Sequence, residues 1–270
     1  MIHQELFSLK GKVSIVTGAL GLLGRKHCIA LCEAGSSVIV ADMNEQICNE
    51  FAQNYLKNSI GGYLDVTDKE SILKLKELVL DQFGRIDVLV NNAAINDMFE
   101  DPKAAIHQSE FENYPLELWQ KSIAVNLTGP FLCSQVIGAQ MVKQKAGSVI
   151  NIGSTYGITA PDQSIYINDQ GDQSFFKPPA YSVSKGGIIM LTKYLAAYWG
   201  RSGVRVNTLS PGGVKNEQDN FFIRNYSNRT PVGRMAEPTD YQGAIVFLAS
   251  DASLYMTGAN LIVDGGWTCW

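Results

Sequence analysis

No surplus of positive charge runs through this chain. Its 270 residues hold 22 Lys and Arg against 26 Asp and Glu, a formal net charge of -4. The basic residues are scattered, so the chain has no electrostatic footprint for nucleic acid. No apolar run approaches the roughly 18–20 residues of a membrane span. The opening segment, MIHQELFSLKGKVSIVTGA, lacks the basic and then apolar order of a secretory signal. Cysteine is sparse and odd in number: Cys28, Cys32, Cys48, Cys133 and Cys269. Cys28 and Cys32 stand four apart on one helical face rather than in a metal-ligand CxxC, and no metal site is expected. Reduced, buried, structural thiols fit this usage, and with it a cytoplasmic location. Repeats, low-complexity tracts and linkers are also missing, so a single domain over 1–270 is expected.

What is present is alternation. Short β-branched runs at Val13–Thr17, Ser37–Ala41, Gly62–Asp65, Asp87–Val90, Ser148–Ile152, Val204–Leu209 and Asn260–Val263 read as about seven strands buried on both faces. Helical patterns lie between them, at about 22–34, 44–57, 68–83, 117–145, 180–201 and 238–250. This order predicts an α/β fold: a Rossmann-like, doubly wound parallel sheet with helices on both faces. Three segments, about 95–116, 158–180 and 213–237, read as long loops. All follow strand C-termini, where open α/β sheets bind ligands.

The turn Thr17-Gly18-Ala19-Leu20-Gly21-Leu22-Leu23-Gly24 joins the first strand to the first helix. Glycines there let backbone approach a pyrophosphate, and the helix N-terminus supplies N–H groups and a positive dipole end. Asp42 ends the second strand at the spacing of an acid that accepts from the adenosine ribose hydroxyls. A carboxylate there repels a 2′-phosphate, which favours NAD over NADP. Met43 follows it. Asp65 stands at the end of the third strand, placed to accept from the adenine amino group, with Val66 against the adenine ring. Arg25 and Lys26 are read as solvated.

Five further motifs occur in one order: Asn91-Asn92-Ala93-Ala94, Asn126 in VNLTG, Ser154 in INIGSTYG, Tyr181-Ser182-Val183-Ser184-Lys185, and Ser210-Pro211-Gly212-Gly213. With the glycine turn and the closing Val263-Asp264-Gly265-Gly266, the set resembles the short-chain dehydrogenase/reductase family over essentially the whole chain. The chemistry accounts for these residue types. Hydride transfer at a carbinol carbon also moves a proton on its oxygen. A phenol is ordinarily too weak an acid to ionise at neutral pH. Lys185, one helical turn beyond Tyr181, can favour the phenolate. Ser154 can hydrogen-bond the substrate oxygen. The resemblance implies that Asn126 holds a water on the proton path. It also implies that Asn92, Ala93, Ala94, Pro211, Gly212 and Val214 border the cofactor, beside Gly18, Gly21, Leu22, Leu23 and Gly24.

Three departures stand out. The family's TGxxxGxG becomes G-x-x-G-x-x-G, with Leu22 where a glycine is usual. Ser154 and Tyr181 lie 27 positions apart, about twice the family spacing. The extra residues, within 158–180, read either as a lobe over the active-site mouth or as an inert surface excursion. In 213–237 the usual threonine is missing, and Arg224, Arg229 and Arg234 read either as anion contacts or as surface charges. The long insertion and GLLG turn also resemble dehydrogenases of flagellin-modification and legionaminic-acid-type sugar pathways. That resemblance implies a polar, sugar-like or nucleotide-sugar substrate. Competing readings are a sugar alcohol, a 3-oxoacyl thioester, or an idle NAD-binding regulator. The family also implies a homotetramer or dimer through the helices at 117–145 and 180–201. Trp267 and Trp270 read either as an exposed intersubunit tail or as a tail folded onto its own core.

Overall fold

The computed structural model describes residues 5–96 and 102–270. Seven strands lie in one parallel sheet: β1 Val13–Thr17, β2 Ser37–Asp42, β3 Ile60–Tyr63, β4 Val88–Asn91, β5 Gly147–Ile152, β6 Val204–Pro211 and β7 Asn260–Val263. Their order is β3-β2-β1-β4-β5-β6-β7. Chain direction across the sheet reverses between β1 and β4, the switch point at which such sheets bind ligands.

Among the described residues the helices are α1 Leu22–Glu33, α2 Glu45–Tyr55, α3 Lys69–Phe83, α4 Pro102–Ser109, α5 Leu116–Gln144, α6 Pro179–Trp199, α7 Asn220–Arg229 and α8 Gln242–Ala249. Successive strand side chains point to opposite faces. Val16 therefore joins a core with Leu31, Phe51 and Leu248 of α1, α2 and α8. Its neighbour Ile15 joins a second core with Leu75, Ile137 and Trp199 of α3, α5 and α6.

Sequence and structure differ at informative places. The third strand begins at Ile60, two residues before the expected start at Gly62, because Ile60 and Gly61 belong to it. A Cβ on Gly61 would lie 2.2 Å from Asn49 N, so α2 crosses the strand where only glycine fits. Two segments read as loops contain α4 and α7; residues 97–101 of the first lie outside the described residues. The helix α5 has, by length and composition, what a membrane crossing needs, and half of its most apolar stretch is buried inside the protein. Its polar interruptions, Asn126 and Ser134, face inward, each within a π-helical turn. Cys28, Cys48 and Cys133 are buried as expected, whereas Cys269 is exposed. Trp267 is buried and stacks on Tyr226 at 4.1 Å, and only Trp270 protrudes.

His27 of α1 is fully buried, and neither ring nitrogen has a hydrogen-bond partner. Burial pushes its pKa from 6.5 down to about 4. The unfolded chain therefore takes up the proton first, and stability falls as pH drops from 6.5 through 4. The full loss is about 3 kcal/mol. His27→Met is expected to flatten the melting temperature against pH across that window. An unchanged slope would assign the acid sensitivity to other groups.

Candidate active site

A cleft of about 640 Å³ opens beyond the C-terminal ends of the central strands. Leu22, Leu23, Asn92, Ala94, Ser154, Tyr181, Lys185, Pro211, Gly212 and Val214 line it. Ten residues named from sequence thus meet on one surface, although they come from three strand ends and two helices.

The glycine turn forms one edge. Gly18 has φ +59°, and a Cβ there would lie 2.6 Å from Ala93 Cα. The Asn92 side chain donates to Thr17 O and Gly18 O at 3.0 and 2.9 Å, and Ala93 N donates to Thr17 Oγ1. Asn92 and Ala93 therefore brace the turn rather than merely border it. Helix α1 opens with no side-chain cap and no acid in its first turn. Its terminal N–H groups and dipole are uncompensated, an arrangement that fits an anionic diphosphate.

Asp42, at the end of β2, accepts from Leu20 N at 2.9 Å and Met43 N at 2.8 Å, one bond on each oxygen. Each oxygen keeps acceptor capacity for a ribose hydroxyl. Arg25 donates to Leu20 O and lies over the Phe51 ring, so it is engaged rather than simply solvated. Asp65 lies beyond β3, where its Oδ1 takes both the N–H and the hydroxyl of Thr67. Val66 is turned inward; a Cβ on Gly129 of α5 would meet its Cγ2 at 2.8 Å. Its side chain thus packs into the core, leaving only its backbone for any contact with an adenine.

Tyr181, Lys185 and Ser154 converge at the cleft floor. Tyr181 lies in the first turn of α6, opened by Pro179. Lys185 is buried, donates to Ile152 O at 2.8 Å, and lies 5.7 Å from the Tyr181 ring centre. Burial lowers its pKa to about 8. Burial pushes the Tyr181 phenol up, and a hydrogen bond with Ser154 pulls it back. Ser154 is held at the end of β5, where its Oγ accepts from Tyr156 N at 3.2 Å. Asn126 does not line the cleft. From its π-turn it makes a two-way bond with Ile95, receiving Ile95 N at 2.8 Å and donating to Ile95 O at 2.9 Å.

The 158–180 insertion forms the outer wall, contributing Tyr166, Phe175 and Lys177 to the cleft, while α7 contributes Phe222 and Tyr226. Tyr166 packs on Phe175 and Phe222, and Tyr226 on Trp267. The three arginines read as possible anion contacts are paired instead. Arg229 meets Asp162 at 2.9 Å, Arg224 meets Asp169, and Arg234 meets Asp240 at 2.6 Å. The first two pairs join the insertion to α7. Sequence reasoning missed this clasp because its partners lie 55–67 residues apart with no local pattern. It also missed Lys177, whose only local sign is a position one helical turn before Tyr181.

The geometry is that of a Rossmann-type dinucleotide-binding sheet with a Ser-Tyr-Lys set at its mouth. A family model described as Enoyl-(Acyl carrier protein) reductase matches residues 18–268. The chain is 34% identical to a D-threitol dehydrogenase of Mycolicibacterium smegmatis, over 97% of this chain and 95% of that protein. Its structure is similar to that of a gluconate 5-dehydrogenase from Burkholderia cenocepacia in complex with NADP and tartrate, with a TM-score of 0.87, 28% identity and 99% of each chain covered. It is also similar to a short chain dehydrogenase from Leptospira borgpetersenii with bound NAD+, with a TM-score of 0.83, 32% identity, and 96% and 93% of the two chains covered. The chain belongs to the short-chain dehydrogenase/reductase family of oxidoreductases.

Proposed function

We propose that this oxidoreductase transfers a hydride between NAD(H) and a secondary alcohol or ketone of a small polyhydroxylated substrate. The observation that carries the reading is the convergence of Ser154, Tyr181 and Lys185 on one point of the cleft floor. The nicotinamide, when bound, accepts or donates the hydride. Tyr181 passes the proton to or from the substrate oxygen as general acid/base. Ser154 donates to that oxygen and to the phenolate in turn. Lys185 favours the phenolate and reaches the nicotinamide ribose. Asn126 supports the proton path from behind through Ile95.

Gly18, Gly21, Leu22, Leu23 and Gly24 hold the diphosphate; Asp42 and Met43 hold the adenosine ribose. Asp65 and the Val66 backbone meet the adenine, and Asn92, Ala93, Ala94, Pro211, Gly212 and Val214 border the nicotinamide side. Two relatives act, by name, on threitol and gluconate, both polyhydroxylated carbon chains, and the sugar-pathway resemblance points to the same chemistry. The cleft also takes the nicotinamide end of the cofactor, which favours a free polyol or sugar acid over a nucleotide-activated sugar. The insertion and α7, forming the outer wall, select among such substrates.

Asp42 supports NAD over NADP, since its carboxylate repels a 2′-phosphate and Arg25 is committed to Leu20 and Phe51. Asp42→Ala is expected to weaken NAD by about 10–100-fold, the loss of hydrogen bonds to a charged acceptor. It should narrow the gap to NADP. Paired NAD and NADP titrations, followed by turnover on a panel of polyols and sugar acids, check cofactor and substrate class together. A variant that loses NADP more than NAD would reverse the cofactor assignment.

A homo-oligomer forms through α5 and α6. Met190, Tyr194 and Tyr198 line one exposed face of α6, with the two tyrosines stacked at 6.0 Å, and Leu116 and Phe131 are exposed on α5.

A further inference from the structure

The 158–180 insertion supplies a cation to the face of the tyrosine. Lys177 Nζ lies 4.1 Å from the Tyr181 ring centre, against 5.7 Å for Lys185. Its placement is built in detail. Lys177 N donates to Gln163 Oε1 at 2.9 Å, and Gln163 Nε2 returns a bond to Lys177 O at 3.3 Å. Gln173 ties the same stretch to Gln163 O and Phe175 O. Phe176 N donates to Ser109 Oγ at 3.0 Å. Pro178 and Pro179 then stiffen the link into α6. The Lys177 ammonium itself donates to Asn96 Oδ1. A lysine held at its backbone by Gln163 and at its tip by Asn96 is not an incidental surface lysine.

We propose that Lys177 is a positioning residue that stabilises the phenolate of Tyr181, a second cation added by the insertion beside Lys185. The inference rests on the reading of Tyr181 as the acid/base. A cation over an aromatic face is attracted to the ring, and more strongly once the ring carries negative charge. The need for it follows from burial. Tyr181 is pushed up by desolvation, and Lys185, itself desolvated, is pushed down to about 8. The other titratable groups around Tyr181 are Tyr156 beyond β5, Tyr166 of the insertion and Tyr226 of α7. All three are phenols held neutral by burial, so none supplies positive charge. Glu217 and Asp219 line the cleft near α7 and carry the opposite sign. Lys177 and Lys185 are therefore the positive groups available to the ring among the described residues of the cleft lining.

The test is a near-ultraviolet titration of the phenolate band in the intact protein, with and without NAD. The transition lost in Tyr181→Phe identifies Tyr181. In Lys177→Met its midpoint is expected to rise by about one pH unit, and Lys177→Arg should restore it. Lys177→Gln, which keeps a donor for Asn96, repeats the measurement should the Met variant fold poorly. An unchanged midpoint in both neutral variants overturns the proposal. If the midpoint is unchanged while KM for sugar acids rises, Lys177 is a substrate-anion contact instead. Turnover surviving in Tyr181→Phe would remove the underlying reading. A dead Tyr181→Phe with no shift in Lys177→Met would remove this inference alone.

Discussion

Tyr181→Phe is expected to lower turnover by roughly 10²–10⁴-fold, the usual contribution of a positioned acid/base, while leaving NADH affinity within about twofold. The substitution removes one oxygen at the cleft floor and keeps the ring against which Lys177 and Lys185 sit. On the proposed reading, cofactor affinity is carried by other groups, above all the glycine turn and Asp42. The two quantities should therefore separate. In mutant kinetics, an equal fall in kcat and kcat/KM marks a group that acts in the transition state. Steady-state rates beside NADH fluorescence titrations check this. Turnover near the wild-type level would transfer the acid/base role to another group. Tyr156 and Tyr166, both near the cleft, would be the next to replace, although each lacks a lysine four residues later and burial pushes both phenols up.

The second large effect is expected in the glycine turn, where three glycines equal in sequence are unequal in space. A Cβ on Gly24 would lie 2.3 Å from Gly18 O and 2.8 Å from Ala19 Cα, both backbone atoms. On Gly21 the nearest atom would be Gly18 O at 3.3 Å, and its φ of -69° suits any residue. Alanine at an ordinary helical glycine stabilises by about 1 kcal/mol. At Gly24 the sign reverses, since the turn must move to admit the methyl group. Gly24→Ala is expected to cost about 1–3 kcal/mol, as overpacking does, and to weaken NAD at least tenfold, as displaced N–H groups lose the diphosphate. Gly21→Ala should cost under about 1 kcal/mol. Thermal melts and NAD titrations of both variants check the contrast. Equal costs would mean that the turn yields as a unit.

This contrast bears on the departure seen in sequence. The G-x-x-G-x-x-G spacing keeps glycine at Gly18 and Gly24, where neighbouring backbone leaves no room for a Cβ. Leu22 occupies an exposed position at the cleft edge, where a side chain costs nothing sterically. The altered spacing therefore leaves the turn's close contacts intact.

Much of the fold was legible in sequence because its signals are local. Val13–Thr17 and Asn260–Val263 match the observed strands at both ends, since continuous β-branched runs bounded by turns have few alternatives. Asp68 was readable as a helix start, and its side chain accepts from Glu70 N there. The strand at Ile60–Tyr63 was read two residues late because its glycines answer to a crossing helix, not to strand propensity. Helices α4 and α7 were hidden because eight and ten residues give too few turns to set a helical period apart from a loop.

The sequence by itself determined the family, the parallel sheet and the set of residues that gather at its mouth. Those follow from periodicity and from ordered motifs, each contained within a few neighbouring residues. Tertiary structure alone decided what the charged and aromatic residues do there. It paired Arg224 and Arg229 with acids of the insertion, turned Val66 into the core and buried Trp267 against Tyr226. It also brought Lys177 over the ring of Tyr181. Such assignments depend on distances between segments far apart in the chain, and charge and ring contacts act through space, whatever separates the residues in sequence.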